Sequence, residues 1–168
     1  MKSFTLHKPI KKELAPIILT SPHSGNKYTN EFLKYTNYNY DAYNSLEDKY
    51  VDQLYSDSID YGIMKIDAIY SRAVIDLNRS LYDLDPNLIN NIPYQELNSN
   101  SYVDSGIGLI PKVDLSHNAI YAEKIPWKYA SRRIDNIYKK WHECLQKNIN
   151  NHLSLFNRLI LLDCHSMP

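Results

Sequence analysis

Two short apolar runs, one near each end of the chain, most restrict the folds that this sequence can adopt. Residues 15–20 (A-P-I-I-L-T) and residues 159–162 (L-I-L-L) are almost uninterrupted apolar stretches, and each leads into a polar loop. Continuous runs of this length are typical of strands that are buried on both faces, whereas strands with one wet face alternate apolar and polar residues. We therefore expect an α/β fold whose sheet has parallel character.

Apolar residues at helical spacing predict two helices. Within residues 45–61 they form one stripe, in which Ser45 suits the N-cap, Asp48 follows in the first turn and Gly62 ends the helix. From Ala130 onward a second stripe predicts another helix. Its apolar members are Ile134, Ile137, Tyr138, Trp141, Leu145, Ile149 and Leu153.

The segments between these helices complete the predicted architecture. Residues 63–69 and 73–77 are rich in Ile and Val and are expected to be extended. Residues 80–118 are rich in Asn, Ser, Pro and Asp and form a long loop, a kind of segment that is often functional. The expected fold is a mostly parallel or mixed sheet flanked by helices, with residues 1–168 as a single domain.

Composition excludes several classes of function. Lys plus Arg and Asp plus Glu number 19 each, so the formal net charge is zero, and neither nucleic acid nor a membrane surface is an expected partner. No apolar run approaches the roughly 20 residues that span a bilayer, and the N-terminus lacks the apolar region of a signal peptide. Cys144 and Cys164 are the only cysteines and do not form a CxxC motif. We expect a soluble, cytoplasmic protein.

A histidine follows each of the two apolar runs. The loops after these strands contain His23 and His165, and ligands of open α/β sheets bind at the carboxyl ends of strands. A catalytic zinc site uses three protein ligands and a water molecule, and Glu47 and Asp48 are candidates for the third ligand. The alternative is structural, because Ser45 and Asp48 resemble a capping box and a histidine after a strand is often only hydrogen-bonded within its loop.

The stretch S-R-A-V-I-D-L-N-R at 71–79 contains a second candidate group. In an extended strand, Arg72, Asp76 and Asn78 would share one face. Asp76 would hold an arginine in place, and a guanidinium would then bind a substrate carboxylate or stabilise an oxyanion. A purely structural Arg–Asp pair at the sheet edge is an equally good interpretation.

Five motifs in order resemble one protein family. They are S-P-H-S-G at 21–25, E-D-K-Y-V-D at 47–52, S-R-A-V-I-D-L-N-R at 71–79, G-I-G-L-I-P at 106–111 and D-C-H-S-M-P at 163–168. Together they resemble the N-formylglutamate amidohydrolase family, which is related in fold to zinc carboxypeptidases and aspartoacylase. The resemblance extends from about Pro16 to the last residue and implies a zinc-carboxypeptidase-like fold.

The resemblance implies a role for each matching residue. His23, Asp48 and His165 are expected to bind a divalent metal ion, with zinc as the first choice and Glu47 as the alternative to Asp48. Arg72 is expected to stabilise the developing oxyanion. Asn78 and Arg79 are expected to hold the substrate carboxylate, with Asp76 supporting the site from behind. His142 also matches a family position, and we interpret it as structural.

The implied activity is hydrolysis of the linear amide in a small N-acyl amino acid, with N-formylglutamate giving formate and glutamate. Family members continue beyond the position of Pro168 and supply a glutamate as general base, so the chain is expected to be truncated. A second chain would then supply the missing part. The alternatives are an inactive fragment that still binds metal or carboxylate, and a peptidoglycan amidase-like hydrolase.

Overall fold

A four-stranded mixed sheet lies at the centre of the protein, as seen in a computed structural model that describes residues 2–10, 13–36 and 43–166. Its strands are β1 (Phe4–His7), β2 (Ile17–Ser21), β3 (Met64–Ala68) and β6 (Ile160–Asp163), in the order β1-β3-β2-β6. Strand β2 runs parallel to both of its neighbours, and β1 is antiparallel to β3. The prediction of a mostly parallel or mixed sheet flanked by helices is therefore confirmed.

A long helical region covers one face of this sheet. It consists of an α-helix at Trp127–Arg133, a π-helical turn at Ile134–Tyr138 and an α-helix at Lys139–Phe156. The predicted apolar stripe is buried where the helix meets the core, as Trp141 packs edge-on against Phe4 with ring centroids 6.3 Å apart. Leu153 at the end of the stripe is exposed. The helix prediction is confirmed, while its last apolar residue lies outside the core.

The two apolar runs of the sequence have different environments. Strand β2 lies between β3 and β6, and Ile18 in it is completely buried. Strand β6 pairs only with β2 among the described strands, and Ile160, Leu161 and Leu162 are 54%, 43% and 46% exposed. In the described part of the chain, the apolar side chains of β6 are therefore much more exposed than those of β2.

The predicted helix over 45–61 is only partly present. Residues 51–54 form a short α-helix (Val51–Leu54), and a 3-10 helix (Ser56–Tyr61) follows and ends at Gly62, which has a φ of 78°. Residues 45–50 form turns, since the backbone N–H of Asp48 donates to the carbonyl of His23 at 3.0 Å and Tyr50 adopts a left-handed φ of 66°. Ser45 is therefore not an N-cap, and Asp48 is not in a helix.

The segment 73–77 is buried but is not a strand. Its backbone forms turns, with Val74 N donating to Ser71 O and Asp76 N donating to Leu109 O. The sequence pattern misled the prediction because a buried turn and a buried strand both select apolar residues. The other two predictions for this part of the chain are confirmed. The predicted extended segment 63–69 contains β3, and residues 80–118 are mostly loop.

The remaining elements are short. They are β4 (Ile89–Asn90), which pairs with β5 (Ile125–Pro126), and the helices Asn30–Tyr35 and Ser101–Asp104, whose first turns are capped by the side chains of Thr29 and Asn100. Cys144 and Cys164 are free, as expected. None of the helices in the described ranges is long and apolar enough to cross a membrane.

Candidate metal centre

Three potential metal ligands converge at the carboxyl end of the sheet. His23 follows β2, His165 follows β6 and Asp48 comes from the turn after residue 43, and their ligand atoms all lie within 4.8 Å of one another. The parallel pairing of β2 with β6 explains the meeting of the two histidines, because Thr20 lies opposite Asp163 and both chains leave the sheet at the same edge. The convergence expected from the sequence is present in the structure.

The imidazole rings present the same nitrogen to Asp48. The Nδ1 atom of His165 is 3.0 Å from Oδ2 of Asp48, and the Nδ1 atom of His23 is 3.7 Å from that oxygen. Ser166 Oγ donates to the other carboxylate oxygen of Asp48 at 3.1 Å. The side chains of His23, Asp48 and His165 are 5%, 13% and 27% exposed, so the centre opens toward solvent on the His165 side.

A buried carboxylate supports His23 from behind. The Nε2 atom of His23 lies 2.7 Å from Oδ1 of Asp76, a side chain that is not exposed at all. Burial by itself would raise the pKa of Asp76, but the hydrogen bond and charge of His23 and the charge of Arg72 hold it at about 2. An ionised Asp76 can only accept, so Nε2 of His23 donates to it, and Nδ1 of the same ring faces the ligand cluster.

A second carboxylate, which the sequence reasoning missed, supports His165. The Nε2 atom of His165 is 2.9 Å from Oδ2 of Asp163, and Thr20 Oγ1 donates to Oδ1 of the same residue at 2.6 Å. Asp163 stands two residues before His165 at the end of β6, and this D-x-H spacing was the signal that could have identified it. Both histidines therefore belong to carboxylate–imidazole pairs, the usual arrangement behind a metal ion.

Asp48 and Glu47, the two candidates for the third ligand, have different environments in the structure. Burial by itself would raise the pKa of Asp48, but the nearby imidazoles of His23 and His165 lower it to about 2. Glu47 is not part of the ligand cluster, because Tyr28 Oη donates to its carboxylate at 2.5 Å. Burial raises the pKa of Glu47. The geometry favours Asp48 as the third ligand.

The three other predicted site residues lie around Asp76. Arg72 Nε donates to Oδ2 of Asp76 at 2.8 Å, while Asn78 donates its backbone N–H to Oδ1 and places its side-chain amide 3.3 Å from Nε2 of His165. Arg79 Nε lies 3.8 Å from Asp76 and donates to the carbonyl of Ile107 at 3.0 Å. A turn folded around one carboxylate thus brings these residues together, rather than the strand face predicted from the sequence.

The donor set fits a divalent metal ion such as zinc. Two imidazole nitrogens and one carboxylate oxygen converge, and hydrogen bonds to Asp76 and Asp163 occupy the other nitrogen of each ring. This leaves Nδ1 of both histidines for a metal. Burial lowers the pKa of His23, but the carboxylates of Asp48 and Asp76 outweigh burial and raise this pKa above the usual value for histidine. A mixed nitrogen and oxygen set of three ligands is typical of catalytic zinc.

Known proteins resemble this chain in sequence and in fold. Residues 15–168 match the sequence profile of the N-formylglutamate amidohydrolase family. The fold is similar to the crystal structure of N-formylglutamate amidohydrolase from Ralstonia eutropha JMP134, with a TM-score of 0.92 and 30% sequence identity. The match covers 100% of this chain and 59% of the Ralstonia chain, so this chain spans less than two thirds of that protein. A search of curated proteins gave no match.

Proposed function

Because the chain belongs to the N-formylglutamate amidohydrolase family, we propose that it takes part in metal-dependent hydrolysis of N-formylglutamate to formate and glutamate. The observation that carries this proposal is the convergence of His23, Asp48 and His165 beside Asn78 and Arg72. This arrangement joins a ligand set for a metal with side chains suited to an acidic substrate. The substrate class is thus a small N-acyl amino acid.

Zinc is the metal that we propose for this centre. Nδ1 of His23, Oδ2 of Asp48 and Nδ1 of His165 would hold it, and a zinc ion bound there would supply a Lewis acid and a water of lowered pKa. Asp76 and Asp163 orient the two imidazoles and keep their Nε2 atoms protonated. Ser166 fixes the carboxylate of Asp48.

Three residues are proposed to bind the substrate. Arg72 uses Nε for its contact with the buried Asp76, and its terminal amino groups would stabilise the developing oxyanion. Asn78 and Arg79 would hold the substrate carboxylate, because the amide of Asn78 borders His165 and the guanidinium of Arg79 is fixed by Ile107. Hydrogen-bond donors that the protein already holds in place need to move little when charge develops in the reaction.

The proposed reaction also requires a base that accepts a proton from water. In the described parts of the chain, the ligand cluster contains one carboxylate, Asp48, and no glutamate. A positioned acid–base group typically contributes about 10²–10⁴-fold to a rate. Hydrolysis is expected to depend on the metal and on Arg72.

Formate release from N-formylglutamate by the zinc-loaded chain tests the proposal. We expect release above the buffer rate, which falls to background after chelation and is restored by zinc. Arg72→Met should lower the rate while leaving the zinc content unchanged, because Arg72 is not a ligand. Release that is insensitive to chelation, or zinc-loaded chain that releases no formate, would contradict the proposed activity.

A further inference from the structure

Two side chains of the long helical region contact the backbone on either side of Asn78. Tyr138 Oη donates to the carbonyl of Arg79 at 2.8 Å, and Nε2 of His142 lies 3.1 Å from the carbonyl of Leu77. A carbonyl can only accept, so Nε2 of His142 carries a proton and donates. The two residues of each contact are far apart in the chain, by 59 positions for Tyr138 and Arg79 and by 65 for His142 and Leu77.

Helix geometry presents these two donors together. Tyr138 and His142 are four residues apart and therefore lie on one face, with their ring centroids 4.2 Å from each other. Tyr138 is the last residue of the π-helical turn Ile134–Tyr138, and the extra residue of such a turn changes the rotation of everything that follows it. The turn thus sets the direction in which both donors leave the helix.

The segment that receives these hydrogen bonds pairs with no strand among the residues that the structure describes. Residues 71–80 form turns, and inside them Asn78 uses its backbone N–H for Asp76. A backbone without a regular ladder depends on other groups to satisfy and fix its carbonyls. The carbonyls of Leu77 and Arg79 receive this support from the helix, directly beside the side chain that borders His165.

We propose that Tyr138 and His142 are positioning residues for the carboxylate-binding pair Asn78 and Arg79. Through the two carbonyls they hold the 77–79 backbone, and thereby keep the amide of Asn78 next to His165 and the guanidinium of Arg79 over the ring of Tyr102, 4.0 Å from its centroid. In the described part of the chain, no hydrogen bond joins Tyr138 or His142 to the proposed metal ligands. The inference rests on the proposed function for the identity of the ligand, but not for the contacts.

The test uses three variants and a matched control in the full chain. Tyr138→Phe removes only the hydroxyl, and His142→Leu removes the donor, whereas His142→Gln keeps an amide N–H that can donate to Leu77. Tyr129→Phe is the control, because the Tyr129 ring packs against Tyr35 with 4.8 Å between ring centroids, and in the described part of the chain no hydrogen bond joins its hydroxyl to the 77–79 backbone. Hydrogen exchange of the 77–80 backbone is measured together with KM and kcat for N-formylglutamate.

Loss of one hydrogen bond is expected to raise KM and the exchange rate of the 77–80 segment by about 3- to 10-fold, with kcat changed by less than about twofold. His142→Gln should recover most of the loss, and Tyr129→Phe should behave like the wild type. Unchanged exchange and KM in both Tyr138→Phe and His142→Leu would overturn the inference. If the wild type neither binds nor hydrolyses N-formylglutamate, the proposed function fails, and the exchange rates still decide whether the two residues fix this segment.

Discussion

The Nε2 atom of His23 lies 2.7 Å from a carboxylate oxygen of Asp76, and these side chains are only 5% and 0% exposed. Asp76 also accepts hydrogen bonds from Arg72 and from the backbone of Asn78. One buried carboxylate therefore orients a proposed metal ligand and two residues proposed to act on the substrate. We propose that this group couples metal binding to substrate binding.

Replacing Asp76 should weaken metal binding without removing a ligand. In Asp76→Asn the side chain keeps its shape but loses the charge that keeps Nδ1 of His23 available, so zinc affinity should fall by about 10- to 100-fold. Competition with a chromogenic chelator measures this affinity. The matched control is Asp85→Asn, which changes a buried carboxylate paired with Lys112 away from the centre. Equal zinc affinities in the wild type and Asp76→Asn would contradict the assigned role.

Loss of the Asp163–His165 contact should weaken zinc binding less than loss of the Asp76–His23 contact. The side chain of Asp163 is 37% exposed, so water can replace part of its hydrogen bond to His165. We expect Asp163→Asn to weaken zinc binding by less than about 10-fold, below the loss of about 10- to 100-fold that is typical for such partners. The same chelator competition compares the two variants. A greater loss in Asp163→Asn than in Asp76→Asn would refute this order.

The choice between Asp48 and Glu47 as third ligand can be decided by paired amide substitutions. Asp48→Asn should lower zinc affinity by at least about 100-fold, since it changes a direct ligand and not one of its supports. Glu47→Gln should leave zinc affinity within about threefold of the wild type, because the Glu47 carboxylate bonds to Tyr28 outside the cluster. Reversal of these two effects would make Glu47 the ligand.

Gly25 in the loop after His23 is expected to be required for stability. A Cβ atom at this position would lie 2.3 Å from the carbonyl oxygen of Tyr70, on backbone that cannot swing aside. Gly25→Ala should therefore lower the free energy of unfolding by about 1–3 kcal/mol, as overpacking typically does. Denaturant-induced unfolding measures this change.

The control for that experiment is the neighbouring residue. Ser24 Oγ is buried and has no hydrogen-bond partner in the described part of the chain. Ser24→Ala removes this hydroxyl without adding volume, and the free energy of unfolding should change by less than about 0.5 kcal/mol or rise slightly. If Gly25→Ala were as stable as Ser24→Ala, the close approach of Gly25 to the carbonyl of Tyr70 would not restrict the residue type at position 25.

The sequence allowed prediction of the two histidines because their position depends on simple features. Continuous apolar runs identified β2 and β6, and the parallel arrangement of such strands places His23 and His165 at one edge. The meeting of two strand ends is a property of topology and does not depend on side-chain detail. The long helix was equally predictable, since its buried stripe has a clear period.

The third ligand and the substrate-binding segment were not predictable in their local structure. Residues 45–50 have helical spacing, but a long-range hydrogen bond from Asp48 N to His23 O holds them in turns. Residues 73–77 are as apolar as a strand, yet they fold around Asp76. In both places tertiary contacts override local propensity, and both are parts of the candidate site.

Metal content of the purified chain is the most direct test of the central claim, a metal centre formed by His23, Asp48 and His165. Elemental analysis should find about one zinc ion per wild-type chain and almost none in His23→Ala or His165→Ala. His117→Asn is the control, because His117 is an exposed histidine in a left-handed conformation that Asn also adopts. Zinc-free wild-type chain after exposure to zinc, or full zinc content in both alanine variants, would contradict the account.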